Sequence, residues 1–386
     1  MTGGGAINLS SEEDSLTLAG GLSIGIAERD VDAIVNGAVI HSDGLDINAK
    51  REEVAVAISA GVGAAARSDV AVAGSVDVNV YTDNIHAKLS DSYVRSTGDV
   101  IVGAKSDMVL VSIAGAVGVS AEGTGAAASF GVSSTVDEIH AYVDNSDVRA
   151  DGNFRVDAVG NHTVVSVTAS VGVGLLKSAV AGQFSLHLVK KDVDARVGDG
   201  SLVVAGNNAA IIADDLVTLV TVTGGAVVGN NNAVGVSVSS TNIYGRTVKA
   251  HIDDGASVTA QSLGDALGID LDGNTDNGAE LSVNGLAVHA KADDDIINVV
   301  MGAAVSGKIC RSGLGIDRYQ QHHGQGVRRV CLRHVLQARC GECAERRRRF
   351  HRRRLRSCQC GGCRRAVRLA VIRCHRCIRA RFRPHP

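Results

Sequence analysis

The tripeptides VDA, IHA, IHA, VDA and VKA begin at Val31, Ile85, Ile139, Val193 and Val248, at steps of 54, 54, 54 and 55 residues. Gly44, Gly98, Gly152 and Gly206 keep the 54-residue step, as do Ala19, Ala73, Ala127 and Ala181. A fixed period of this size is the mark of a repeat architecture. Each unit is too small to bury its own apolar face and stacks on its neighbours to build a continuous core. Residues 1 to 30 match the second half of a unit, so the array begins in mid-repeat and the chain reads as a fragment of something longer.

Each unit reads as β-strand. Around the anchors, Ile85, Ala87 and Leu89 alternate with His86 and Lys88. Ile139, Ala141 and Val143 alternate with His140 and Tyr142, and Val193, Ala195 and Val197 with Asp194 and Arg196. Period-two alternation of β-branched residues predicts half-buried strands with the anchors inward. Upstream, Leu22-Ile24-Ile26, Val76-Val78-Val80 and Phe184-Leu186-Leu188 extend the pattern, which places Leu186 inward. The Gly44 family lies in SDG, STG and ADG, where a positive φ would turn the chain between strands. The middle of each unit is more apolar: VAVAISAGVGAAA, MVLVSIAGAVGVSA and VVSVTASVGVGLLKSAVAG. These runs are mostly shorter than the roughly 20 residues a spanning helix needs. They are rich in Gly and Val, so they predict buried strands in which small side chains let layers approach closely, and no membrane span.

The texture A-x-[VIL]…D-G…G-V-G…[DN]-x-[IV]-x-A over residues 1 to 308 resembles the repetitive filamentous adhesins of bacterial surfaces. The resemblance is to the leukotoxin type and, more loosely, to filamentous haemagglutinin. It implies an all-β, parallel β-helix-like solenoid, exported and displayed at or shed from the cell surface. The implied role is structural and adhesive, toward ligands on host or neighbouring cells, with no catalytic motif to carry over. The number of strands per coil stays open, and antiparallel packing of sheets remains an alternative.

The charge divides the chain. Residues 309 to 386 hold 22 Arg and no Lys against Asp317, Glu342 and Glu345, a net of +19. Residues 1 to 308, with 17 basic and 38 acidic side chains, carry −21. All nine Cys and both Pro fall in the basic segment, which excludes thiol chemistry and disulfides from the array. The expected organisation is therefore a repeat array over 1–308, with units starting near 31, 85, 139, 193 and 248, followed by a tail over 309–386.

Three constellations are candidate sites. His86 and His140 recur at one strand position, but Asp32, Asp194 and Lys249 share it, so they read as solvated surface rather than a metal ladder. In DLDGNTDNGAE, Asp270, Asp272, Asn274 and Asp276 alternate and Glu280 follows, which suits a hard cation such as calcium. Thr275 stands where an EF-hand has Gly and the final acid comes one place early, so a polar surface insertion is the competing reading. In the tail, Cys340, Cys343, Cys360 and Cys363 have the spacing of a four-thiolate zinc site, and the arginines could hold phosphate. The alternative function is accordingly a zinc-dependent nucleic-acid-binding protein.

A coding argument favours a different origin for the tail. Arg codons of the CGN type, Cys and Gly all carry G in the middle position. Read one nucleotide later they give codons beginning with G, hence Val, Ala, Asp, Glu or Gly, the residues of the repeat. DRYQQHHGQGVRR, residues 317 to 329, can be encoded so that the shifted frame reads IDINNITAKAYA, which resembles YTDNIHAKLSD. The tail is thus expected to be frameshifted solenoid, disordered, and without a nucleic-acid partner.

Overall fold

The computed structural model describes residues 2–8, 16–67, 70–269, 281–307, 309–322 and 338–341. No helix occurs among them. One coil consists of a long strand, a corner, a four-residue strand, a second corner, a long returning strand and a turn. The front sheet stacks β2 (Leu16–Asn36), β5 (Val70–Ser90), β8 (Thr124–Asp144), β11 (Ala179–Val197), β14 (Asn232–Ile252) and β19 (Ile309–His322). The back sheet stacks β1 (Thr2–Asn8), β4 (Leu45–Ala65), β7 (Val100–Ser120), β10 (Phe154–Gly174), β13 (Ala209–Gly229) and β18 (Leu286–Ser306). A narrow edge sheet contains β3 (Val39–Ser42), β6 (Tyr93–Ser96), β9 (Asp147–Ala150), β12 (Leu202–Ala205) and β15 (Ser257–Ala260).

All pairing between coils is parallel and in register. Val31 faces Ile85, Ile85 faces Ile139 and Ile139 faces Val193, so the sequence period is the coil itself. The 55-residue step to Val248 is a bulge: Val189 pairs Ile243 but Asp192 pairs Thr247, and Gly245 at φ +64° absorbs the extra residue. The chain is a parallel β-solenoid, as its period and alternation lead one to expect.

In cross-section the coil has two regions. In the first, here the body, the front, back and edge sheets enclose a triangular apolar core. Ile85, Leu89, Val94, Val100, Val102, Ile139, Phe154 and Ile211 are fully buried there. In the second, the wing, no third sheet intervenes, and front and back sheets close directly on each other. Glycine makes this possible. A Cβ at Gly118 would lie 1.9 Å from the carbonyl oxygen of Ala126, and one at Gly172 2.3 Å from that of Val180. Packed sheets ordinarily lie about 10 Å apart, and these are closer because hydrogen replaces the side chain.

The corner leaving the front sheet requires a left-handed residue in every coil. Gly37, Asp91, Asn145, Gly200 and Gly255 fill it with φ of 67°, 52°, 44°, 73° and 82°. Gly, Asp and Asn are the residues that tolerate this conformation. The stepped Gly44 family was expected to supply the positive φ, but none of its members has one. Its later members serve close approach instead: a Cβ at Gly98 would fall 2.1 Å from the Asp43 carbonyl oxygen.

Two further expectations are corrected. Leu22, Ile24, Ile26, Val76, Val78, Val80, Phe184, Leu186 and Leu188 lie on the outer face of the front sheet. Leu22, Ile24 and Ile26 are more than half exposed. The reason is strand length. The strands β2, β5 and β11 that carry them run without a break for 19 or 21 residues, so the parity set by Val31, Ile85 or Val193 holds throughout and puts these even-numbered residues outside. The array also does not stop at residue 308. β19 continues the front sheet in parallel with β14, and β20 (Ala338–Gly341) pairs antiparallel to β19.

Candidate functional site

The calcium candidates Asp270, Asp272, Asn274 and Asp276 lie outside the described residues, between the strands of a small antiparallel hairpin, β16 (Leu267–Ile269) and β17 (Leu281–Val283). The hairpin is an insertion: Ala209 pairs Leu286, 77 residues on, where the steps from β4 to β7, β7 to β10 and β10 to β13 are 54 or 55. Ile269 and Val283 pack on Ala210 and Ile212, so the insertion sits against the outer face of the back sheet. Of the zinc candidates, Cys343, Cys360 and Cys363 also lie outside the described residues; Cys340 is on β20. Among the described residues no three His, Cys, Asp or Glu side chains converge as a metal site requires.

The structure instead brings together two groupings. The first is the outer front face of the body, where the repeated histidines lie. His86 stacks on His140 with centroids 5.2 Å apart, and His140 on Tyr142 at the same distance. Arg196 covers the Tyr142 ring at 4.1 Å. Around them Asn84 donates to Asp30 at 2.7 Å, His86 Nδ1 lies 3.2 Å from Asp32, and the Tyr142 hydroxyl donates to Asp194 at 3.3 Å. Burial by these neighbours, more than the opposing pull of Asp192, holds His140 below the ordinary histidine pKa. Burial first and Asp194 second keep Tyr142 protonated beyond its usual range. The result is a polar and aromatic cluster that spans adjacent coils from Asp32 to Asp194.

The second grouping is internal. On the front sheet Arg29, Asp83, Asp137, Lys191 and Arg246 follow the period on the inward side of the strands, where body meets wing. The back sheet supplies Arg51, Glu53, His162, Asp215 and Asp294. Arg29 and Arg51 both pair Glu53, and Arg51 reaches Asp83 at 2.8 Å. Lys191 Nζ lies 2.9 Å from Asp137 and 3.3 Å from Asp215; Arg246 Nε is 2.7 Å from Asp215, and its other arm pairs Asp294. His162 Nδ1 is 3.4 Å from Asp137.

The column's titration follows from its geometry. Burial raises Asp83 to about 6, Arg51 opposing and the facing Asp137 adding to it. Burial also works to raise Asp137, but Lys191 and His162 outweigh it and hold that carboxyl below the carboxylate range. Burial lowers His162. The Lys191 ammonium is pushed down by burial yet ends raised, because Asp137 and Asp215 flank it. Lys191, Asp137, Asp215 and His162 have fully buried side chains, so no substrate in solvent can touch them. The column can fix register between coils, since a slip by one residue would leave charges unpaired.

Sequence reading missed this column although its signal was present: Asp83, Asp137 and Lys191 each stand two residues before an anchor and so share its inward parity. No protein-family profile matches the chain, and neither a curated protein nor a solved structure is detectably similar to it.

Proposed function

We propose that the chain is part of a structural rod displayed at, or shed from, a bacterial cell surface, where its repeated outer face adheres to ligands on host or neighbouring cells without catalysis. The observation that carries this reading is the outer polar and aromatic cluster of the body front face. In-register stacking places Asp32, His86, His140 and Asp194 in one column, and ring contacts link His86, His140, Tyr142 and Arg196 across adjacent coils. A repeated array of weak sites gains avidity once several engage together. The close ion pairs around Lys191 and Arg246 lie in the interior rather than at a cleft, which favours a structural role over an enzymatic one. The net charge of −21 over residues 1–308 disfavours nucleic acid as the ligand of the array.

The test displays the full chain on beads at graded density over epithelial monolayers and bacterial lawns. Retention should rise steeply with density and fall when His86→Ala, His140→Ala and Tyr142→Ala are combined, with the melting temperature little changed. Retention independent of density, or indifferent to the triple substitution, overturns the reading.

A further inference from the structure

The wing has a mixed interior: Met108, Leu110, Val164 and Leu219 are buried next to the charge column, and polar side chains are buried beyond them. Its inward positions carry Ser112, Ser133, Ser166, Thr168, Gln183, Ser185, His187 and Thr223, all buried. Its outward positions are apolar on both faces. On the back sheet, columns run in register across the coils. Val56, Val111, Val165, Val220 and Ile297 form one; Ile58, Ile113, Val167, Val222 and Val299 the next. Beyond them Ala60, Gly115, Ala169 and Gly224 form a furrow, then Val62, Val117, Val171 and Ala226 another ridge. A Cβ built on Gly115 meets nothing within 4 Å, so the furrow is open to the outside.

We infer that the back face of the wing is a self-association surface, covered by the same face of a second copy of this chain. Area is the first argument. About eleven residues of strand at about 3.3 Å, by five strands at about 4.8 Å, give a face on the order of 800 Å². That exceeds the roughly 300–600 Å² of the largest apolar patch on a typical monomer, and it equals the roughly 800 Å² per partner of a standard stable interface. Commensurability is the second. A second copy has the same rise per coil, so its valine ridges match the furrow over every coil, and a two-fold axis sets the patch against itself. The third argument is against a lipid occupant. The turns at the wing tip carry exposed Arg67, Glu122 and Lys177, and a solenoid buried in hydrocarbon would present open sheet edges to it.

The experiment is sedimentation equilibrium on the full chain, under reducing conditions with a chelator so that the nine cysteines neither crosslink nor bind metal. The wild-type chain should be dimeric. Val111→Lys with Val167→Lys should raise the dimer dissociation constant about 100-fold or more, with unchanged circular dichroism, because the added charges would be buried on association. Gly115→Leu, which fills the furrow without adding charge, should weaken the dimer as well. Asp30→Lys, on the outer face of the body, should leave it intact. A monomeric wild type, whether or not it floats with phosphatidylcholine vesicles, overturns the inference. So does a dimer that survives both back-face variants, or one that breaks only on Val78→Lys with Val132→Lys on the front face.

Discussion

Body and wing are built from the same strands, yet they distribute polarity differently. In the body, Ile85, Leu89 and Phe154 are inside while Asp30, Asn84 and His86 are outside. In the wing, as along β11, Ser185 and His187 are inside while Phe184, Leu186 and Leu188 are outside. Alternation is preserved throughout; what changes is that the outward parity turns apolar while the inward one mixes polar and apolar side chains. The body stays together through burial of large side chains among three sheets. The wing relies on a smaller apolar cluster around Leu110, Val164 and Leu219, on close backbone approach, and on hydroxyl contacts such as Ser75 to Ser129 at 3.1 Å. The charge column marks the boundary between the two regimes.

The comparison can be broken most sharply at that boundary. Lys191→Met leaves Asp137 and Asp215 without their shared cation in the interior, which costs about 3–5 kcal/mol when one partner of a buried pair is removed. Leu186→Asp, on the outer wing where the side chain is half-buried, should cost less, about 1–2 kcal/mol, since the new carboxylate reaches water. Urea unfolding midpoints measure both. Equal losses would mean that the wing face is not outside.

A second effect separates the interiors by pH. His187 is buried in the wing beside Ser185, at 2.9 Å, and burial pushes it down to about 4. As pH falls below about 6.5 the unfolded chain takes up this proton and the folded one does not, so its contribution to stability is present above 6.5 and lost toward 4. The span is worth about 3 kcal/mol. Asp83 and Asp157, both raised by burial to about 6, act with the opposite sign: their contribution is present below their unfolded values and lost as pH rises through 6. The difference between wild type and His187→Asn isolates the histidine. A stability difference independent of pH between 4 and 7 would exclude a buried neutral imidazole.

Glycine sharpens the same contrast at smaller scale. Gly115 and Gly118 stand three residues apart on one strand, one outward with open space, one inward against the Ala126 carbonyl. Gly118→Ala should cost about 1–3 kcal/mol by forcing the sheets apart. Gly115→Ala should stay within about 0.5 kcal/mol. Thermal melts of the two variants suffice, and a reversal of the order would reassign the inward face.

The coil length, the strand content and the inward anchors were legible in the sequence because period and parity are one-dimensional properties. Leu186 was misplaced because apolar residues were taken to mean interior, whereas an unbroken strand carries its parity from Val193 back to Leu186 regardless of polarity. The left-handed corners were harder. Asp91 and Asn145 do not look like glycine, and the more conspicuous Gly44 family drew the turn to the wrong place. The column of Asp83, Asp137 and Lys191 changes sign along the period, so a search for identical residues passes over it. Its logic is complementarity to the back sheet, which only folding brings near.

The smallest predicted effect concerns the corner that joins the two long regions to the edge sheet. Asn145 holds φ at 44°, donates its side-chain amide to Asp91 at 2.6 Å, and its backbone N–H donates to the Asp199 carbonyl at 3.0 Å. Asn145→Gly gives up one exposed hydrogen bond but removes the Cβ crowding of the left-handed region, so stability should move by no more than about 0.5 kcal/mol. Asn145→Val keeps the Cβ, adds branching and cannot bond to Asp91, so it should cost about 1–2 kcal/mol. The local consequence is specific, because a corner forced from φ 44° would lose the Asp199 contact and loosen β9 in the edge sheet first. Hydrogen exchange should then rise at 147–150 before it rises at the wing, where β8 and β10 meet through their own glycines. Uniform exchange across both regions would mean that the coil opens as one unit, and that the body and wing do not differ in how they come apart.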